Sequence, residues 1–188
     1  FLAKTTETHK EFPDFVGVGV PKAGTSWWYA ALLDHPSVAN NRLTDRTKAQ
    51  KTKELDYFTH FVDRPFTEAD QQVYRSAFAS PEGKICGEWT TTYLAHPLSL
   101  IHLASAAPDT KILVMVRNPV DRFLSHIDHL VRNRASGFRL DENWKTLFKV
   151  HSAVPEAFLH SCYARPLEKL VELFDRKKSL FCSMNAVA

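Results

Sequence analysis

The stretch FVGVGVPKAGTSWW, residues 15–28, decides the fold of this chain. It begins as a nearly continuous apolar run, breaks at a proline and a glycine, and resumes with bulky residues at helical spacing. This order predicts a buried strand over 15–20, a tight loop, and a helix over 25–34. Such a loop gathers backbone N–H groups and the positive end of a helix around one point, and Lys22 adds a full charge. The stretch therefore predicts a binding site for phosphate or sulfate oxygens.

The order of residues inside the loop separates it from the P-loop, in which the lysine follows the glycines. Here Lys22 precedes Gly24, in the order PKAGTSW. That order resembles P-K-x-G-T-[ST], the 5′-phosphosulfate-binding loop of sulfotransferases that use 3′-phosphoadenosine 5′-phosphosulfate (PAPS). The residues alone also allow an ordinary strand-to-helix turn with a surface lysine, and place Thr25 or Ser26 near the helix N-cap. The resemblance implies that this loop binds PAPS through Lys22, Ala23, Gly24, Thr25, Ser26 and Trp27.

A second motif lies in KILVMVRNPVDRFLS, residues 111–125. It predicts an apolar strand that ends at an arginine and is followed by a helix with proline at its start. The stretch resembles the R-N-P-x-D-R-x-x-S motif of the same family, whose arginine and serine hold the 3′-phosphate of the cofactor. The resemblance assigns these roles to Arg117 and Ser125. For Asp121 and Arg122 we favour a simpler role as salt-bridge partners at the start of the helix.

Two weaker segments lie between these motifs. KELDYF, residues 53–58, resembles the K-E-x-x-[FY]-F segment of bacterial and heparan-sulfate-type sulfotransferases, in which the glutamate is the proposed catalytic base. This implies Glu54 as the base and Lys22 as the cation that stabilises the leaving group. EWTTTYL, residues 88–94, resembles G-E-x-[ST]-P-x-Y-L, with Trp89 where heparan-type members often carry lysine. Cytosolic branches of the family use a histidine base, and three histidines outside any matching motif are available for that role: His60, His96 and His102.

Strands alternate with helices along the chain, which predicts a single three-layer α/β domain, P-loop-like, with a mainly parallel sheet. Further helices are expected over 67–78, 97–106, 119–132 and 141–150, and one or two over 155–174. Strands are expected over 84–88 and 111–116, with a weak one over 179–183. Most of the polar, basic stretch over 40–53 is expected to be a solvated loop, and 1–13 a loose lead-in. The 97–106 helix is expected to turn Leu98, Ile101 and Leu103 inward. Ligands of such folds bind at the carboxyl ends of the strands, where both cofactor motifs fall.

Composition restricts the class of protein. With 188 residues, 44% of them hydrophobic and 24% charged, the chain can form one soluble domain. A net charge of +3 lacks the basic bias of a nucleic-acid-binding protein, and the apolar runs are too short to cross a membrane.

Three widely spaced cysteines favour a reducing compartment, hence a cytoplasmic protein, with the lumenal domain of a Golgi-type membrane enzyme as the alternative. His126 and His129 share a helix face, but no other ligand lies at metal spacing, so no metal is expected.

The motifs and the composition leave three functional hypotheses. The resemblance implies in-line transfer of a sulfuryl group from PAPS to a hydroxyl or amine of a small-molecule or glycan acceptor. A P-loop kinase or NTPase would need Gly-Lys-Ser/Thr and an acidic residue after an apolar strand, where this chain has Arg117. An inactive, truncated nucleotide-binding fragment is the third, because residues 177–188 begin like a strand and then lose the pattern.

An incomplete domain predicts weak cofactor binding, little turnover and low solubility, because apolar surface would stay exposed. The sequence leaves the acceptor and the oligomeric state open. It also leaves open whether the aromatic residues near the motifs line an acceptor site or fill the core: Trp27, Trp28, Tyr57, Phe58, Trp89 and Tyr93.

Overall fold

The computed structural model describes residues 12–41, 53–78, 83–132, 155–175 and 179–184. Most of the lead-in, most of the polar stretch over 40–53 and the helix expected over 141–150 lie outside these ranges. In the described part, five strands form one sheet: β1 (Phe15–Gly19), β2 (Val38–Ala39), β3 (Ile85–Trp89), β4 (Lys111–Arg117) and β5 (Ser179–Met184). Their order is β2-β3-β1-β4-β5, and every pairing is parallel. The predicted α/β class with a parallel sheet is confirmed.

The helices follow the strands as expected of βαβ units. They are α1 (Thr25–Leu33), α2 (Glu68–Ser76), α3 (Pro97–Ala106), α4 (Pro119–Arg132), α5 (Pro155–Leu159) and α6 (Ala164–Leu173), with short 3₁₀ turns at Tyr57–His60 and Tyr93–Ala95. α2 begins at a capping box, in which Thr67 and Asp70 bond each other's backbone N–H groups. The region predicted as one or two helices over 155–174 is two. The short strand β2 was not predicted. Among the described helices, none is both long and apolar enough to span a membrane.

The centre of the sheet explains the glycines of the opening stretch. All five residues of β1 are buried, as expected for a strand covered on both faces. A Cβ atom on Gly17 would lie 2.2 Å from ring atoms of Trp89, so only glycine fits beneath that indole. Trp89 in turn donates its Nε1–H to the carbonyl of Gly19, at 3.2 Å. Trp89 is therefore a core residue that ties β3 to β1.

The structure corrects one predicted helix face and settles another that the sequence left open. In α3, Leu103 is buried as expected, but Leu98 and Ile101 are 44% and 41% exposed, and Leu100 faces the core instead. In α1, Tyr29 is the buried aromatic residue, and Trp27 and Trp28 are 68% and 42% exposed. Of the aromatic residues left open by the sequence, Phe58, Trp89 and Tyr93 fill the core, and the two tryptophans of α1 lie on the surface.

Candidate functional site

The loop between β1 and α1, residues 20–24, turns sharply at two left-handed residues. Lys22 has φ 69° and Gly24 has φ 79°. Gly24 is the N-cap of α1 and makes no side-chain capping bond, and Thr25 and Ser26 follow it directly, near the cap as predicted. Ala23 and Trp27 donate their N–H groups to the carbonyls of Val20 and Gly24, at 3.3 and 3.1 Å. The N–H groups of Thr25 and Ser26 begin the helix, where no carbonyl of a preceding turn faces them, and they lie at its positive end.

Lys22 lies among charged side chains of both signs. Partial burial lowers the pKa of its ammonium below the ordinary value, Asp128 raises it, and Arg117 and Arg132 lower it further. The positive neighbours mean that an anion bound here would relieve repulsion among cations. This end of the loop is therefore electrostatically prepared for a negatively charged ligand.

Arg117 at the carboxyl end of β4 joins the second motif to the loop. Its Nη1–H donates to the carbonyl oxygen of Lys22, at 3.3 Å. The carbonyl of Arg117 accepts the Tyr163 hydroxyl proton at 2.9 Å, which anchors this strand end against the turn before α6. Ser125 is half-buried on α4, and within the described ranges no hydrogen bond joins it to Arg117. The structure thus brings Lys22 and Arg117 together, whereas the cofactor role of Ser125 stays a prediction.

Lys53 connects the loop to the segment that carries Glu54. Its ammonium donates to Thr25 Oγ1 at 2.9 Å and to Ser26 Oγ at 3.4 Å, and forms an ion pair with Glu54 Oε1 at 2.8 Å. Only 8% of Lys53 is exposed. Sequence reasoning treated this lysine as half of a common Lys-Glu pair and missed its contact with the loop. The contact spans 28 positions in sequence, and no local pattern signals it.

Glu54 is placed so that its carboxylate can reach a ligand. Its side chain is 34% exposed, and the hydroxyl of Thr91 lies 3.4 Å from both carboxylate oxygens. Lys53 and Thr91 therefore orient the carboxylate from two sides and leave part of it accessible. Such a group can accept a proton from a nearby hydroxyl or amine.

Glu88, at the end of β3, is a fully buried carboxylate beneath this segment. Its Oε1 accepts the hydroxyl protons of Tyr74 and Tyr93, at 2.8 and 3.2 Å. Its Oε2 accepts the hydroxyl proton of Thr90 at 2.6 Å and the N–H of Leu55 at 3.1 Å. Burial raises the pKa of Glu88 to about 7, although these hydrogen bonds lower it in part.

Comparison with known proteins identifies the family. The family model described as "Sulfotransferase family" matches residues 13–173, which is most of the chain. The chain belongs to the sulfotransferase family.

Curated relatives include human heparan sulfate glucosamine 3-O-sulfotransferase 6, which is 32% identical over 62% of this chain and 30% of the relative. The membrane-associated sulfotransferase kil1 of Dictyostelium discoideum is 24% identical over 89% of this chain and 33% of its own length. Heparan sulfate glucosamine 3-O-sulfotransferase 3A1 of Mus musculus is 26% identical over 94% of this chain and 42% of its own length. The chain thus spans less than half the length of these relatives.

The fold agrees with solved structures of the family. A sulfotransferase from Alicyclobacillus acidocaldarius superposes with a TM-score of 0.66 at 24% identity, over 91% of this chain and 72% of that one. The sulfotransferase domain from the curacin biosynthetic pathway gives a TM-score of 0.54 at 12% identity, over 92% of this chain and 67% of that one. These likenesses show the fold.

The family motif on α4 contains an arginine whose contacts differ from our prediction. Arg122 is fully buried and does not pair with Asp121, because adjacent residues on a helix point in different directions. Its guanidinium donates to Ser161 Oγ at 2.6 Å, to the carbonyl of Pro21 at 3.4 Å, and to the carbonyl of Ala157. The prediction of a helix-start salt bridge is therefore wrong for Arg122. This residue instead ties the loop before Lys22 to α5.

The histidines considered as alternative bases occupy other parts of this sulfotransferase-family domain. His60 and His96 are exposed at the ends of the two 3₁₀ turns, and His102 packs against Phe66 with ring centroids 4.7 Å apart.

On α4, His126 Nδ1 lies 3.0 Å from Arg122 Nη1. A guanidinium can only donate, so this histidine nitrogen accepts. Burial and the positive charge of Arg122 lower the pKa of His126 to about 4, so His126 is neutral at pH 7.

Proposed function

We propose that this domain transfers a sulfuryl group from PAPS to an acceptor hydroxyl or amine by in-line displacement. The observation that carries the proposal is the position of Lys53. One ammonium group contacts the hydroxyls that follow the 20–24 loop and the carboxylate of Glu54. A donor group bound at the loop and a base that acts on the acceptor would therefore meet within one side chain's reach, as in-line transfer requires.

On the donor side, the residues present fit a nucleotide with phosphate or sulfate at each end. Lys22 and the N–H groups of Gly24, Thr25 and Ser26 would hold the 5′-phosphosulfate, with the adjoining Ala23 and Trp27 shaping the loop. Arg117, assisted by Ser125, would hold the 3′-phosphate. Charge on the leaving phosphate would be stabilised by Lys22, since fixed cations at the point where charge develops lower the barrier.

On the acceptor side, Glu54 would take the proton of the attacking hydroxyl or amine as general base. Lys53 would then have two roles. It orients the Glu54 carboxylate before the reaction, and its ammonium would exchange the 3.4 Å bond to Ser26 for one to a sulfuryl oxygen as the group passes between donor and acceptor. Buried cations of this kind act strongly because little water screens them.

The acceptor class that the relatives suggest is a glycan, because several of them are named heparan sulfate sulfotransferases. Trp89 indicates that such an acceptor would be bound differently here than in the heparan-type members. It stands where heparan-type members often carry lysine, and it is 3% exposed and packed on Gly17. This position therefore offers no cation to a polyanionic sugar, and an acceptor with less negative charge fits better.

Calorimetry with the desulfated cofactor, 3′,5′-adenosine bisphosphate, tests the donor site. Lys22→Ala and Arg117→Ala should each weaken binding by about 1.5–3 kcal/mol, the range for hydrogen bonds to charged groups. Arg117→Ala should also abolish the preference over AMP, because only the 3′-phosphate distinguishes the two. Arg64→Ala is the matched control, because Arg64 is exposed and paired with Asp70. Equal affinity of the parent protein for both nucleotides would refute the assignment.

A further inference from the structure

The end of β3 and the turn after it contact every residue of the 53–56 segment. The N–H of Trp89 donates to the carbonyl of Lys53 at 2.9 Å. Two hydroxyl groups of the turn after β3 contact carboxylates of the segment. Thr91 lies 3.4 Å from Glu54, and Thr92 donates to Asp56 at 3.1 Å. The segment is therefore held by side chains of its neighbour rather than by a helix or strand of its own.

The backbone of the segment depends on Glu88 in two ways. The N–H of Leu55 donates directly to Glu88 Oε2 at 3.1 Å. The N–H of Asp56 donates to Thr90 Oγ1 at 3.1 Å, and the Thr90 hydroxyl in turn donates to Glu88 Oε2 at 2.6 Å. A single carboxylate oxygen thus fixes the two residues that follow Glu54, one directly and one through Thr90.

The 53–56 segment requires an acceptor at the Oε2 position of Glu88. The Leu55 N–H can only donate, and it meets Oε2 together with the Thr90 hydroxyl. The tyrosine hydroxyls at Oε1 can donate or accept, so a glutamine could keep the pattern with its amide oxygen at Oε2 and its nitrogen toward the tyrosines. Methionine has a similar shape and only a weak acceptor, so Glu88→Met removes the bonds to the segment.

We infer that Glu88 is a positioning residue that acts through Glu54: it holds the 53–56 segment so that the Glu54 carboxylate meets the acceptor. The inference rests on the proposed function for the role of Glu54. Glu88 itself is fully buried and 0% exposed, so it does not contact donor or acceptor. It acts through Leu55, Thr90 and Asp56 on the geometry of its neighbour.

The test compares Glu88→Met, Thr90→Val and Tyr74→Phe. Tyr74→Phe is the matched control, because Tyr74 bonds Oε1 and does not contact the segment. Amide hydrogen exchange at Leu55 and Asp56 should accelerate in Glu88→Met and, at Asp56, in Thr90→Val, and remain unchanged in the control. Turnover should fall on the order of 10–100-fold in the first two variants, the scale of a misplaced catalytic group, with unchanged affinity for 3′,5′-adenosine bisphosphate.

Two results would overturn the inference. One is unchanged exchange in both Glu88→Met and Thr90→Val. The other is accelerated exchange with full turnover. Adding Glu88→Met to Glu54→Gln should reduce turnover little further, because the effects of residues that act through one another are not additive. If the parent shows no turnover while exchange responds as expected, the proposed reaction is refuted and the contact between Glu88 and the segment is supported. Thr90→Val keeps the test decisive if Glu88→Met fails to fold.

Discussion

The buried carboxylate of Glu88 predicts a pH dependence of stability that one substitution removes. Burial raises the pKa of Glu88 from its ordinary 4.5 to about 7. A carboxyl group with a raised pKa in the folded state binds a proton there that the unfolded chain has already released. Stability from this group is therefore highest below pH 4.5, falls as pH rises toward 7, and is constant above it.

The magnitude follows from the size of the shift. One pKa unit corresponds to about 1.36 kcal/mol, so this group alone should lower the free energy of unfolding by about 3 kcal/mol between pH 4.5 and pH 8. Glu88→Gln carries no titrating proton and lacks this decline. Its constant cost from altered hydrogen bonds does not depend on pH, so the difference between the two proteins isolates Glu88.

The assay is urea denaturation of the parent and Glu88→Gln at half-unit steps from pH 4.5 to 8. The difference in the free energy of unfolding, parent minus variant, should fall steadily toward pH 7 and then level off. Tyr57→Phe is a suitable control, because its hydroxyl donates to the carbonyl of Asp70 at 2.8 Å and does not touch Glu88. A parent and a variant whose stabilities run parallel across this range would refute the reasoning.

Two further predictions concern residues on either side of the site. Glu54→Gln should lower turnover by roughly 10²–10⁴-fold, typical of a lost general base, and leave nucleotide affinity nearly unchanged; steady-state kinetics and calorimetry check this, and full activity would make Glu54 structural. Arg122→Met should lower the free energy of unfolding by about 1–3 kcal/mol, because the buried carbonyl of Ala157 loses its donor, whereas Pro21 and Ser161 are part-buried and can bond water. Denaturation curves that coincide with the parent's would show that these contacts contribute nothing.

The strand–loop–helix units could be predicted because their signals are local. β1 with α1 and β4 with α4 each combine a short apolar run, a breaking residue and a helical pattern within about 20 residues, where periodicity is informative. The parallel sheet then follows, since alternating strands and helices favour it, and it places Lys22 and Arg117 at one edge. The bond from Arg117 to the Lys22 carbonyl agrees with that expectation.

Helix faces were harder to predict where apolar residues lie on several sides of a helix. In α3 they do, and the polar Ser99 is itself fully buried, so polarity does not mark the exposed face. Packing places Leu100 and Leu103 against the core and leaves Leu98 and Ile101 partly exposed. In α1 the sequence left the place of the two tryptophans open, and both lie on the surface.

Lys53 and Glu88 could not be predicted, because their partners are distant in sequence. Lys53 meets Thr25 across 28 positions, and Glu88 meets Leu55 across 33. A lysine beside a glutamate, or a glutamate at a strand end, ordinarily indicates a solvent-exposed residue. Only the pairing of β1 with β3 brings these groups beneath the site.

Glu88 and Arg122 are two buried ionisable groups that do not form an ion pair with each other. Burying such a group is costly unless it is hydrogen-bonded, and each of these is held by several partners. Glu88 bonds the backbone of the 53–56 segment, and Arg122 bonds the carbonyl of Pro21, directly before Lys22. Each half of the proposed site, the Glu54 segment and the anion loop, therefore contacts one buried ionisable group. Apolar packing would stabilise the fold at lower cost but could not orient backbone N–H and C=O groups, so we infer that both groups serve to orient these two segments.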